Sequence, residues 1–207
     1  VESFSFTSLA EKILSTEGGA AVQTLSDAGR AVLVRRALEE LQDNVHYYHR
    51  HRRSAAFCQM AAQTIDELKS AGLSGRQLAQ LAGACGAESG KLSELALIFQ
   101  GYETLLARSG MDPSDRLELA GARLEEALAR HSLPEFLRDR AVFIDEFDTF
   151  NAPKKRLLGA MLAALPSVTV ALCDDGAPLL PGDLSLFSGA KQVAAQLRQL
   201  ARKNGAE

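Results

Sequence analysis

Two adjacent carboxylates, Asp145 and Glu146, close the short apolar run Val142-Phe143-Ile144 in the stretch RAVFIDEFDTFN. An acid pair at the end of a buried strand suits phosphoryl transfer. The first acid holds magnesium through its waters and the second polarises the attacking water. A plainer role fits the same residues, because charged side chains often stand where a strand meets solvent. Phosphoryl transfer also needs a loop of backbone amides to cradle phosphate, with the pattern GxxxxGK[ST]. The sequence holds no such pattern. The nearest stretch, CGAESGKL from Cys85 to Leu92, has Cys85 where the first glycine belongs and Leu92 where the hydroxyl residue belongs. It follows a predicted helix rather than a strand, so no sheet edge would aim its amides at a phosphate. By itself the chain is expected to hydrolyse no ATP and to hold neither ATP nor magnesium.

The densest basic-aromatic stretch is NVHYYHRHRR, Asn44 to Arg53. Arg50, Arg52 and Arg53 offer contacts to phosphates, and Tyr47, Tyr48 or His49 offer faces on which bases stack. The stretch equally fits a solvated joint between two helices, with Tyr48 completing a core stripe 38-41-45-48. That second reading is preferred, because isolated basic joints are common. His46, His49 and His51 have no acid or thiol at ligand spacing and are not read as a zinc site. Lys191, Arg198, Arg202 and Lys203 on the last predicted helix suit DNA or a neighbouring domain, and more simply a solvated face.

The elements that must position these residues follow from composition and periodicity. The chain of 207 residues has 46% hydrophobic and 24% charged residues, an ordinary globular balance. No apolar run approaches the ~20 residues of a membrane-spanning helix. The N-terminus VESFSFTSLAEKIL has no basic region followed by an apolar stretch, so it is not a secretory signal. It begins with Val, and the chain is expected to be a segment of a longer protein. Its three cysteines, Cys58, Cys85 and Cys173, lie far apart, which argues against a disulfide framework and favours a reducing cytoplasm. A net charge of −3 leaves any DNA contact to a local basic surface.

The middle of the chain is predicted to be helical. After a capping Ser26, the residues Ala31, Val34, Leu38, Leu41 and Val45 form one apolar stripe, with Arg35–Glu39 and Arg36–Glu40 at i,i+4 outside it. A second helix runs from Ser54 to about Ala71 on Phe57, Ala61, Ile65 and Leu68, with Gly72 at its stop. A shorter helix is expected near Gly75–Ala84. Another from about Lys91 to Arg108 repeats the stripe as Leu92, Leu95, Phe99, Tyr102 and Leu106. Pro113 starts the next, on Leu117, Ala120, Leu124 and Leu128. After Pro134 the texture changes. AVFID and SVTVAL read as strands buried on both faces of a parallel sheet, joined by the helix APKKRLLGAMLAAL. A final helix, about Ser188 to Lys203, turns Val193, Leu197 and Leu200 inward. Two strands make an incomplete sheet, so further strands are expected elsewhere in a longer protein.

At this point the residues resemble a known family. FSFTSLAEKIL, LSDAGRAVLVRRALEEL, FCQMAAQTIDELKSAGLSGRQL, KLSELALIFQGYETLL and MDPSDRLELAGARL are similar, in that order, to the N-terminal half of the AddB (RexB) subunit of bacterial AddAB helicase–nucleases. VFIDEFDTFNAPKKRLLGAMLAALPSVTVALCDD and LFSGAKQVAAQLRQLA continue the resemblance over essentially the whole chain.

The resemblance implies a superfamily 1 scaffold of the UvrD/Rep kind. Residues 1–17 and 134–207 would belong to a RecA-like P-loop NTPase domain (1A), and 18–133 to an all-helical domain inserted into it (1B). The fold class is thus α/β but predominantly helical. IDEF would be helicase motif II, with Asp145 on magnesium and Glu146 activating water, in a longer parent that supplies ATP and magnesium. The pattern also departs from an active motor. Motif II of such motors reads DEFQDT, whereas Phe147 is followed here by Asp148-Thr149. CDDGAPLL lacks the glutamine expected of motif III. The resemblance therefore implies a hydrolase complex in which this subunit holds DNA and contacts an A subunit that drives unwinding. The nuclease and iron–sulfur cysteines would lie outside this chain. The alternatives are a fragment of an active UvrD/Rep-type helicase and a helical interaction module without catalysis.

Overall fold

The computed structural model describes residues 1–86, 89–147 and 149–206. Its elements are mostly helices: α1 (Phe6–Glu17), α2 (Asp27–Glu40), α3 (Ala55–Ser70), α4 (Gly75–Ala82), α5 (Ser89–Ser109), α6 (Pro113–Ala129), β1 (Ala141–Ile144), α7 (Ala152–Ala164), β2 (Ser167–Val170) and α8 (Ser188–Lys203). The chain divides into two compact units, one of residues 1–20 with 117–207 and the other of residues 21–116.

In the unit of residues 21–116 the helices start where serines can cap them. Ser26, Ser54 and Ser74 each accept an amide of the first turn, and Ser74 completes a reciprocal box with Gln77. Such a cap stabilises a helix by about 1 kcal/mol, because it satisfies amides that have no partner inside the helix. The helix α3 ends at Gly72, whose φ of 82° lets the Leu73 amide reach back to the Leu68 carbonyl, a left-handed stop that glycine adopts without strain. Val34, Leu38, Ile65, Ile98, Phe99 and Tyr102 are among the buried side chains of its core. The two expected outer-face pairs form, Arg35–Glu39 and Arg36–Glu40, each at 3.1 Å.

One polar cluster in this unit is buried. Asp112, 1% exposed, accepts the Tyr102 hydroxyl at 2.6 Å and pairs with Lys69 at 2.9 Å. Lys69 also reaches Asp115 at 2.6 Å. Burial lowers the Lys69 pKa, and the bonds to Asp115 and Asp112 more than reverse this, so it stands above its ordinary value. The Tyr102 phenol is pushed far up by burial and then by the bond to Asp112.

In the other unit, α1 buries Phe6, Leu9, Ala10, Ile13 and Leu14 in a core shared with Ala120 and Leu124 of α6 and Leu157, Leu158 and Met161 of α7. After its first turn, α6 carries its apolar face into the core that holds α1. The strands β1 and β2 pair in parallel, Ala141 beside Ser167 through Ile144 beside Val170, with α7 between them in sequence. Val193, Leu197 and Leu200 of α8 pack on the same core.

The strands are not buried on both faces as expected. Phe143 is 77% exposed, and β2 alternates exposed and half-buried positions. The cause is that α7 and the core cover one face only, so period-2 alternation decides which side chains are covered. The consecutive apolar residues of AVFI could not report that.

Candidate functional site

Asp145 and Glu146 stand directly beyond the carboxyl end of β1, and both are exposed. Glu146 has φ 64°, the left-handed region that costs a non-glycine residue of the order of 1 kcal/mol or more. Asp145 offsets part of this cost by accepting the Glu146 amide on Oδ1 at 2.8 Å. The next residue is a packing residue. The Phe147 ring meets Phe6 of α1 edge-on at 4.9 Å, and Lys154 Nζ stands 5.2 Å from the Phe147 ring centre and 5.5 Å from that of Phe6. Asn151 caps α7 by accepting the Lys154 amide at 3.1 Å. The acid pair is thereby held at the strand edge between an aromatic anchor and a helix start. Two hard oxygen donors at a sheet edge suit a magnesium ion held mainly through water. Asp148, which follows Phe147 where motif II carries glutamine, lies outside the described residues.

The phosphate-loop decoy resolves differently. Ala87 and Glu88 lie outside the described residues, but Gly90 and Lys91 lie in the first turn of α5. A Cβ on Gly90 would stand 2.9 Å from Cε2 of Tyr47. The glycine makes room for an aromatic ring.

That ring belongs to the basic-aromatic stretch. The backbone of residues 46–48 is tied down by Glu94 of α5, a carboxylate only 6% exposed. Its Oε1 accepts the amides of His46 at 2.7 Å and Tyr47 at 3.0 Å, and its Oε2 accepts those of Tyr47 at 2.9 Å and Tyr48 at 3.3 Å. A buried carboxylate that takes several amide bonds is a strong local constraint. Tyr48 packs on the core and stacks with Phe57 at 5.4 Å, while His51 stands 5.5 Å from Phe57. Tyr47 stays 57% exposed.

Tyr47, Tyr48, His51, Phe57, Met60 and Lys91 line a concavity of about 520 Å³. Arg50 and Arg53 are exposed on the turn that follows Tyr48, whereas Arg52 is half-buried with its guanidinium against the His49 ring. The structure thus brings Tyr47 into a concavity, and leaves Arg50 and Arg53 exposed where Arg52 is half-buried. Periodicity missed Glu94 and Met60, and placed Lys91 only as a helix start. Glu94 lies off the apolar stripe of α5, and only the arrival of the 46–48 backbone makes it an acceptor.

Comparison with known proteins identifies the lineage. The family described as "ADDB, N-terminal" matches residues 1–207. The chain belongs to that family. Among its curated relatives are proteins named as the B subunit of an ATP-dependent helicase/deoxyribonuclease. The one from Desulforudis audaxviator is 33% identical over 98% of this chain and 17% of its own length. Those from Heliobacterium modesticaldum, 31% identical over 98% and 17%, and Moorella thermoacetica, 32% identical over 99% and 18%, agree with it. The chain therefore spans less than a fifth of these relatives. Among the described residues, no helix is long and apolar enough to cross a membrane.

Proposed function

We propose that this chain is the N-terminal helicase-like part of the B component of a helicase–nuclease, which contributes DNA binding and subunit contact rather than the main motor. Residues 1–17 and 134–207 form its share of a RecA-like domain, and 18–133 the helical domain inserted into it. The parent works in the cytoplasm, in double-strand-break repair by recombination, with DNA and an A subunit as partners. Family membership over residues 1–207 carries this proposal. The acid pair at the carboxyl end of β1 supports it, since ligands of open parallel sheets gather at that edge.

ATP and magnesium belong to the parent. There Asp145 would hold magnesium and Glu146 would orient a water beside a bound nucleotide, while Phe147 packs on Phe6 directly after both. The chain has no GxxxxGK[ST], so the phosphates need residues from elsewhere. A second reading, an active superfamily 1 motor, is favoured by the adjacency of Asp145 and Glu146.

DNA-stimulated ATP hydrolysis separates the two. It is measured for the full-length parent alone, for its complex with the A subunit, and for both carrying Glu146→Gln. Under the proposal the parent alone hydrolyses no ATP, and the complex hydrolyses ATP at nearly the native rate with Glu146→Gln. Robust hydrolysis by the lone parent, abolished by Glu146→Gln, would establish the motor instead.

A further inference from the structure

The concavity beside Tyr47 is better built than a solvated joint requires. Tyr47 and Met60 are each 57% exposed, so the fold leaves two large side chains open on one face. The backbone that carries Tyr47 is not loose, because Glu94 consumes the amides of residues 46–48 and Gly90 clears the space that the Tyr47 ring occupies. An uncovered aromatic side chain on a fixed backbone has less entropy to lose when a flat partner stacks on it.

Charge selects the partner. From Asn44 to Ile65 the sequence contains no Asp or Glu, but it contains Arg50, Arg52, Arg53 and three histidines. Arg50 and Arg53 are exposed and form no ion pair among the described residues. Lys91 adds a cation to the wall of the concavity. Glu94, a carboxylate that faces this segment, is buried and saturated by amides. An apolar stacking face with cations on its rim, on a segment free of acids, matches a base flanked by phosphates. A base stacked inside a duplex offers no free face to Tyr47, so the fitting strand is single.

We infer that this concavity holds one unpaired base of single-stranded DNA, stacked on Tyr47 beside Met60, with the adjoining phosphates on Arg50 and Arg53. The inference rests on the DNA-binding role proposed above and narrows it to one face and one form of DNA.

Fluorescence anisotropy of labelled dT15 with the 207-residue chain tests it, with a duplex of the same length as comparison. Stacking on one aromatic side chain contributes ~1–3 kcal/mol, so Tyr47→Ala should weaken dT15 binding about 5- to 150-fold. Tyr47→Phe, which keeps the ring, should stay within about twofold. Arg50→Gln with Arg53→Gln should flatten the dependence of log affinity on log salt by about 1.4, at ~0.7 for each phosphate interaction removed. The chain has no Trp and three Tyr, so dT15 should quench tyrosine emission, and Tyr47→Ala should abolish most of that quenching.

Absence of dT15 binding at low salt would overturn the inference, as would equal affinity for the duplex or indifference to Tyr47→Ala. A Glu-Tyr copolymer that binds in a Tyr47-dependent way where dT15 does not would assign the face to a peptide. Binding of dT15 that ignores Tyr47 removes this pocket but leaves the broader DNA-binding role standing. Failure of the parent complex to bind DNA removes both.

Discussion

Tyr47 lies over Gly90 so closely that a Cβ on the glycine would come within 2.9 Å of the ring. The contact joins the basic-aromatic turn to the start of α5 and explains a glycine that otherwise imitates a phosphate loop. Glycine in a helix costs up to ~1 kcal/mol relative to alanine. Gly90→Ala should therefore leave the urea midpoint unchanged or slightly higher, since the exposed ring can swing aside. The same variant should weaken dT15 binding, because the stacking face moves. A lower midpoint with unchanged binding would contradict this account of the glycine.

Glu94 is the residue that holds that turn. Hydrogen bonds to a charged group contribute about 1.5–3 kcal/mol, and Glu94→Ala would strip three amides of their acceptor, so a loss of about 2–3 kcal/mol is expected. Glu94→Gln keeps one acceptor oxygen and should lose less. Chemical denaturation followed by circular dichroism reads both values. A loss below about 0.5 kcal/mol for the alanine variant would mean that water replaces the carboxylate.

The buried pair of Tyr102 and Lys69 around Asp112 sets an alkaline limit. Both groups have folded pKa values raised above their ordinary ones. The folded state then keeps protons that the unfolded chain releases, so stability falls as pH rises. Stability should be flat up to about pH 10, where the unfolded groups begin to titrate, and should decline above it. Tyr102→Phe should cost about 1–3 kcal/mol at about pH 7, because one oxygen of Asp112 loses its donor in a buried site. It should also blunt the alkaline decline. Urea midpoints at about pH 8, 10 and 11 report both effects.

Glu146 should prefer glycine on backbone grounds alone. Its φ of 64° is free of strain only for glycine, and β-branched residues tolerate it worst. Glu146→Gly should be at least as stable as the native chain, and Glu146→Val less stable by about 1–2 kcal/mol. Thermal melts of the pair give the comparison. An equal effect of both variants would show that the turn relaxes when the acid is removed.

The three cysteines should react at different rates. Cys58 is buried and Cys85 and Cys173 are exposed, and burial pushes the Cys58 thiol up. A reactive cysteine needs exposure and thiolate character. Under native conditions iodoacetamide should label Cys85 and Cys173, and Cys58 only after denaturant is added. Mass spectrometry of tryptic peptides would show the order, and early labelling of Cys58 would reveal an opening of the core around α3.

Helix boundaries and stripes were legible in the sequence. Ser26, Ser54 and Pro113 marked helix starts, and Gly72 marked a stop, because caps and breakers act through bonds only a few residues long. The stripes Val34–Leu38 and Phe99–Tyr102–Leu106 reached the core as their spacing requires. The acid pair was likewise visible as the abrupt end of an apolar run. Helix and strand periods are local properties of the backbone, so a local pattern reports them.

Tertiary structure decided what depends on residues distant in sequence. Glu94 became an acceptor only when residues 46–48 reached it, Gly90 became a seat for Tyr47, and Asp112 became the centre of a buried cluster with Lys69 and Tyr102. Phe143 shows the converse. Its apolar character read as burial on both faces, but a side chain is buried only where another element covers it. The sequence by itself determined the elements, their ends and the order of the acid pair. Only the packing decided which faces stay open, because exposure belongs to the neighbours of a residue and not to the residue.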